Sequence, residues 1–154
     1  MQTEATLKEI VSQLASSPVA FGTDNPVNAE LGPALQAALA DASLDPAGMI
    51  VLEQTPPVIA DLRDLAQDAA AETGLDTVLV RTPQVAVGVS DSLTRAQVER
   101  GERAMVAEPD YVAGVHAFAD AANGFSLNWP LVVAAVLVVL AAVAAAAAFS
   151  ARRG

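Results

Sequence analysis

The sequence predicts a small α/β domain, a mixed sheet flanked by helices, followed by one C-terminal membrane-crossing helix. Three observations carry that reading. Two short β-branched runs, Met49–Leu52 and Thr77–Val80, enclose a helical stretch, as in a βαβ unit. Val85, Val87 and Val89 then alternate with smaller residues, the pattern of a strand with two unlike faces. Leu131–Phe149 is a run of 19 residues without a polar side chain. As a helix it spans about 28 Å, close to the thickness of a bilayer core.

Composition narrows the chemistry. The 154-residue chain is 53% hydrophobic and 17% charged, so it is not disordered as a whole. It has no cysteine, which removes disulfides, thiolate catalysis and Cys-ligated metals. It has a single histidine, His116, expected to be a half-buried structural residue. The formal net charge is −10, the wrong sign for binding nucleic acid. No cofactor is expected.

The elements follow in order. Leu7, Ile10, Val11 and Leu14 predict an amphipathic helix over 3–15. Residues 16–26 read as turns. Leu31, Leu35 and Leu39 make one stripe on a helix over 27–42, ended by Asp45-Pro46 and Gly48. After the strand 49–52, a helix over 59–73 turns Ile59, Leu62, Leu65, Ala66 and Ala69 inward, and Gly74 closes it. The strand 77–80 is expected parallel to the first and the strand 85–90 antiparallel to it. Ser92 or Thr94 caps a helix over 95–106, and Pro109 separates it from a last helix over 111–122.

The expected organisation is therefore a domain over 1–124, a linker over 125–128, a membrane helix over 129–150 and a basic tail over 151–154. Trp129 suits the headgroup region and Pro130 the first helical turn. Arg152 and Arg153 follow the span, whereas no Lys or Arg occurs between Ala104 and Asn128. The positive-inside rule then puts the C-terminus in the cytoplasm and the domain outside. Residues 1–128 carry 6 basic and 18 acidic side chains, a net −12. Residues 1–20 hold no apolar run of signal-peptide length, so export is expected to depend on the span itself. The opposite topology, a cytoplasmic domain with a tail anchor, stays open on these grounds.

Three groups of residues are candidates for chemistry. Asp61, Asp64 and Asp68 share a helix face and, with loop carboxylates, are candidate calcium ligands. A helix cannot wrap a cation by itself, so a solvated face partly neutralised by Arg63 is the preferred reading. Ser90-Asp91 follows the third strand, at what the sequence suggests is the ligand-binding end of the sheet. It lacks a nucleophile motif and reads as a capping turn. Arg95, Glu99 and Arg103 stand on one helix at i, i+4 spacing. Three of the domain's five arginines lie on that helix, which marks it as a candidate partner surface.

The order of LRDLA (62–66), TVLV (77–80), Gly88 with Ser90, R-x-x-x-E-x-G (95–101), FAD (118–120), Trp129-Pro130 and one C-terminal span resembles a family of single-pass membrane proteins of mycobacteria and corynebacteria. The soluble part resembles a TPM domain. The resemblance implies a septal, extracytoplasmic protein of the plasma membrane. It also implies a non-enzymatic role: binding the coiled-coil region of an NlpC-type peptidoglycan endopeptidase, and recruiting or activating it during daughter-cell separation. Some TPM proteins are calcium-binding acid phosphatases, which is the alternative. Arg63-Asp64 with Arg95 and Glu99 do not look like a complete phosphate site.

Overall fold

The computed structural model describes residues 2–44, 46–124 and 129–154, and separates into two units, Met1–Gly124 and Phe125–Gly154. The expected linker over 125–128 and Asp45 lie outside the described residues.

The first unit is a four-stranded mixed sheet between two layers of helices. In chain order the elements are α1 (Gln2–Leu14), β1 (Val19–Phe21), α2 (Asn28–Asp41), β2 (Ala47–Val51), α3 (Ala60–Thr73), β3 (Thr77–Arg81), β4 (Ala86–Ser90), α4 (Arg95–Ala107) and α5 (Tyr111–Asn123). The strand order is β1-β2-β3-β4. The pairs β1–β2 and β2–β3 are parallel, and β3–β4 is antiparallel, with Leu79 opposite Gly88.

Side chains alternate across the pleat, so each central strand feeds both layers. Ile50, Val78, Val80 and Val87 pack with Ile10 of α1 and Leu62, Ala66 and Ala69 of α3. Met49, Val51 and Leu79 pack with Leu35 of α2, Val98 and Met105 of α4, and Val115 and Phe118 of α5. Both faces of the sheet are thus buried, which explains the continuous apolar runs of β2 and β3.

The structure corrects three expectations and bears out a fourth. Residues 16–26 contain β1, an edge strand whose three residues are too few to raise a periodic signal. Gly48 does not end a helix; it lies inside β2, where a Cβ would stand 2.7 Å from Leu75 Cδ1 and 3.2 Å from Leu14 Cδ2. It lets α1 and the α3–β3 turn close onto the sheet. Ile59 precedes α3 and is 43% exposed, so the buried stripe begins at Leu62. Gly74 ends α3 as expected, with φ 72°, the left-handed region that favours glycine.

The second unit is α6 (Trp129–Arg152), whose best 18-residue window has mean hydropathy 2.9 and none of whose residues is buried. The helix runs two residues past the expected span, through Arg152, leaving Arg153 and Gly154 beyond it. The Arg153 guanidinium lies over the Phe149 ring at 5.0 Å.

Candidate functional site: the α3–α4 surface

Thr94, not Ser92, caps α4. Its hydroxyl accepts from Gln97 N at 3.3 Å, while Gln97 Oε1 accepts from Thr94 N at 2.8 Å, a closed capping box. The box fixes the first turn of α4 and so the direction in which Arg95 projects. Arg95 Nε donates to Glu99 Oε1 at 2.9 Å, with 81% of the Arg95 side chain exposed. Arg103 is exposed on the same helix. The hydrogen bond from Arg95, with the charges of Arg95, Arg103 and Arg63, holds the Glu99 carboxyl below its ordinary range. Three arginines therefore act on one carboxylate at a surface of an acidic domain.

The remaining α4 charges serve the fold. Arg100 Nε donates to Ala121 O at 3.3 Å and Gln97 Nε2 to Ala122 O at 3.2 Å, satisfying carbonyls in the last turn of α5. Glu102 reaches the sheet. Its Oε1 accepts from Gly88 N of β4 at 2.8 Å and lies 3.5 Å from Arg63 NH2 of α3. The sequence did not single out Glu102, because nothing in its spacing says that it touches a strand.

Between α3 and α4 runs a recess of about 200 Å3 beside β4, walled by Arg63, Gln67, Ser90, Leu93, Arg95 and Val98 among others. A second recess of about 500 Å3 continues under the end of α3, bounded by Gly74, Asp76 and Asp91, and shares Gln67, Val89 and Ser90 with the first.

Ser90-Asp91 does not stand at the carboxyl end of the parallel strands. Because β4 is antiparallel, Ser90 pairs with Thr77, the first residue of β3. The ligand-binding end expected for an α/β sheet is the opposite one. Ser90 Oγ is bonded to Thr77 Oγ1 at 2.8 Å and accepts from Leu93 N at 3.1 Å, the bonding of a turn. Asp76 is the centre of this cluster. Ser92 Oγ at 2.6 Å and Thr77 Oγ1 at 3.0 Å both donate to Asp76 Oδ2, and these bonds lower the Asp76 pKa.

Asp61, Asp64 and Asp68 are exposed on α3. Among the described residues no group of three or more His, Asp or Glu side chains is placed to hold a metal ion. His116 is half-buried on α5.

A family model described as "Membrane protein Rv1476" matches residues 2–154. No curated protein and no solved structure matches the chain.

Proposed function

The chain belongs to the Rv1476 family of membrane proteins, and from that premise we propose that it is a membrane-anchored interaction protein without catalytic activity of its own. In this reading it docks the coiled-coil region of an NlpC-type peptidoglycan endopeptidase and recruits or activates it at the septum. The resemblance noted in the sequence supplies the partner. The observation that carries the docking surface is the Arg95–Glu99 pair at 2.9 Å on the exposed side of α4, with Arg103 exposed on the same helix. Rim charges of this kind steer encounter and register more than they add affinity.

The same reading puts the domain outside the cell and Arg152 and Arg153 in the cytoplasm. A cysteine at Ser12, an exposed position of α1, then reacts with an impermeant maleimide in intact cells, and one at Gly154 does not. The reverse labelling pattern rejects the hydrolase partner.

The binding test is charge reversal in the full chain, reconstituted in lipid nanodiscs. Arg95→Glu with Arg103→Glu weakens binding of the purified coiled-coil region by about tenfold, or 1.4 kcal/mol. Lys8→Glu, an exposed reversal on α1, is compared with Arg103→Glu alone at equal change of net charge. Arg63 is unsuitable as that control, because it pairs with Glu102. Equal losses from Lys8→Glu and Arg103→Glu reject this surface. Turnover of a chromogenic phosphate ester by the same preparation rejects the non-enzymatic reading.

A further inference from the structure

We propose that the outer edge of β4 accepts an extended peptide segment as a fifth strand, with an acidic side chain of that segment replacing Glu102 at Arg63.

β4 ends the sheet, so one row of its backbone groups has no neighbouring strand. Gly88 N shows which row that is, because it donates to Glu102 Oε1 at 2.8 Å and not to β3. By the two-residue alternation of an antiparallel ladder, Ala86, Gly88 and Ser90 face outward. Along this edge Ala86 and Gly88 are buried, Gly88 beneath the Glu102 side chain that holds its N–H, and Ser90 is half-buried. The two joined recesses of about 200 and 500 Å3 lie there.

The other edge is treated differently. On β1, Gln13 of α1 bonds both outward groups of Phe21, accepting from its N–H at 2.9 Å and donating to its carbonyl at 3.0 Å. That edge is held at donor and acceptor together by one neutral amide. On β4 the guard is a carboxylate that takes a single N–H.

The Glu102 oxygen occupies the place where the carbonyl of an added strand would accept from Gly88. The same oxygen is the partner of Arg63. A strand that displaces it leaves the Arg63 guanidinium without its Glu102 partner, in a groove that also holds the Arg95–Glu99 pair. A carboxylate on the incoming segment restores the pair. Main-chain bonds then provide affinity and the Arg63 contact provides selectivity, as in other strand-addition complexes.

The inference stands apart from the hydrolase reading, and its test contains no hydrolase. The probe is a blocked, fluorescent heptapeptide of alternating valine and threonine with one central glutamate. It is titrated against the full chain in nanodiscs, with the amide resonances of Gly88 and Ser90 followed by NMR. The glutamate peptide is expected to bind at least tenfold more tightly than the same peptide with central lysine, and to move both amides. N-methylation of alternate peptide nitrogens is expected to abolish binding. Glu102→Ala is expected to tighten binding, and Arg63→Gln to erase the preference for glutamate. Equal binding of the glutamate and lysine peptides, unmoved Gly88 and Ser90 amides, or no binding at millimolar peptide each overturns the proposal. The peptide comparison uses the unaltered chain, so it decides the matter even where a variant fails to fold.

Discussion

Phe118 of α5 occupies the space that a side chain at Gly101 of α4 would need. A Cβ at Gly101 would stand 2.6 Å from two carbons of the Phe118 ring. Phe118 is fully buried, and its ring is rigid and cannot swing away as a long aliphatic chain does. The absence of a side chain at Gly101 is therefore what allows α4 and α5 to pack closely. Gly101→Ala is expected to destabilise the domain by about 2 kcal/mol through overpacking. Adding Phe118→Leu on that background is expected to recover part of the loss, since the smaller side chain admits the methyl. Denaturant unfolding of the two variants decides it, and an unchanged midpoint for Gly101→Ala contradicts the packing argument.

Gln13 makes a second separable contribution. Its amide closes the outer edge of β1 at Phe21. Gln13→Ala removes one donor and one acceptor at a partly buried site, a loss of about 1–2 kcal/mol. It also exposes an edge that can pair with another chain. Lower stability together with faster concentration-dependent aggregation is expected by light scattering. Gln13→Glu is expected to retain the bond to Phe21 N but not the one to Phe21 O, and so to fall between the two.

How much of this was legible in the sequence depends on the range of the interaction. The βαβ unit, the antiparallel β4 and the apolar α6 rest on local patterns, and each was read from them, while the α4 cap was narrowed only to Ser92 or Thr94. β1 was not, because three residues carry no period and its partner β2 lies across α2. At the candidate site, the Arg95–Glu99 pair is an i, i+4 contact and was visible. Glu102 reaching Gly88 and Arg63 joins a helix to a strand and to a second helix, and only the fold brings them together. The R-x-x-x-E-x-G spacing was noticed, but its glycine answers to Phe118, 17 positions away. The placement of Ser90-Asp91 failed for a topological reason. An antiparallel last strand reverses which end of the sheet its C-terminus reaches.

Asp76 makes the turn after β4 sensitive to acid. Its carboxyl is held below the ordinary aspartate pKa by hydrogen bonds from Ser92 and then Thr77. A carboxyl with a depressed folded pKa stabilises the fold above its unfolded pKa, and that contribution disappears as pH falls through the folded value. The wild-type melting temperature is therefore expected to drop more steeply below about pH 4 than that of Asp76→Asn. Parallel pH profiles for the two proteins would remove Asp76 as a contributor.

Arg81 presents the strongest demand on the interior. It ends β3, its side chain is only 2% exposed, and its partners are neutral. NH1 donates to Thr82 O, NH2 lies 3.4 Å from Glu108 O, and the guanidinium stands over the Tyr111 ring at 4.7 Å. Among the described residues the buried Nε finds no hydrogen-bond partner. One side chain thus ties the β3–β4 turn to the α4–α5 turn, using carbonyls and an aromatic face in place of a carboxylate. Arg81→Ala leaves a cavity and orphans carbonyls, and is expected to cost about 3 kcal/mol. Arg81→Met loses the same bonds but fills the volume and removes a buried charge, so it is expected to be the less damaging of the two. Arg81→Lys keeps the charge and gives up the planar fork that reaches two turns at once, so it is expected to be less stable than Arg81→Met. Chemical denaturation of the three variants orders them. A lysine variant as stable as the wild type would show that charge alone matters at this position and that the fork does not.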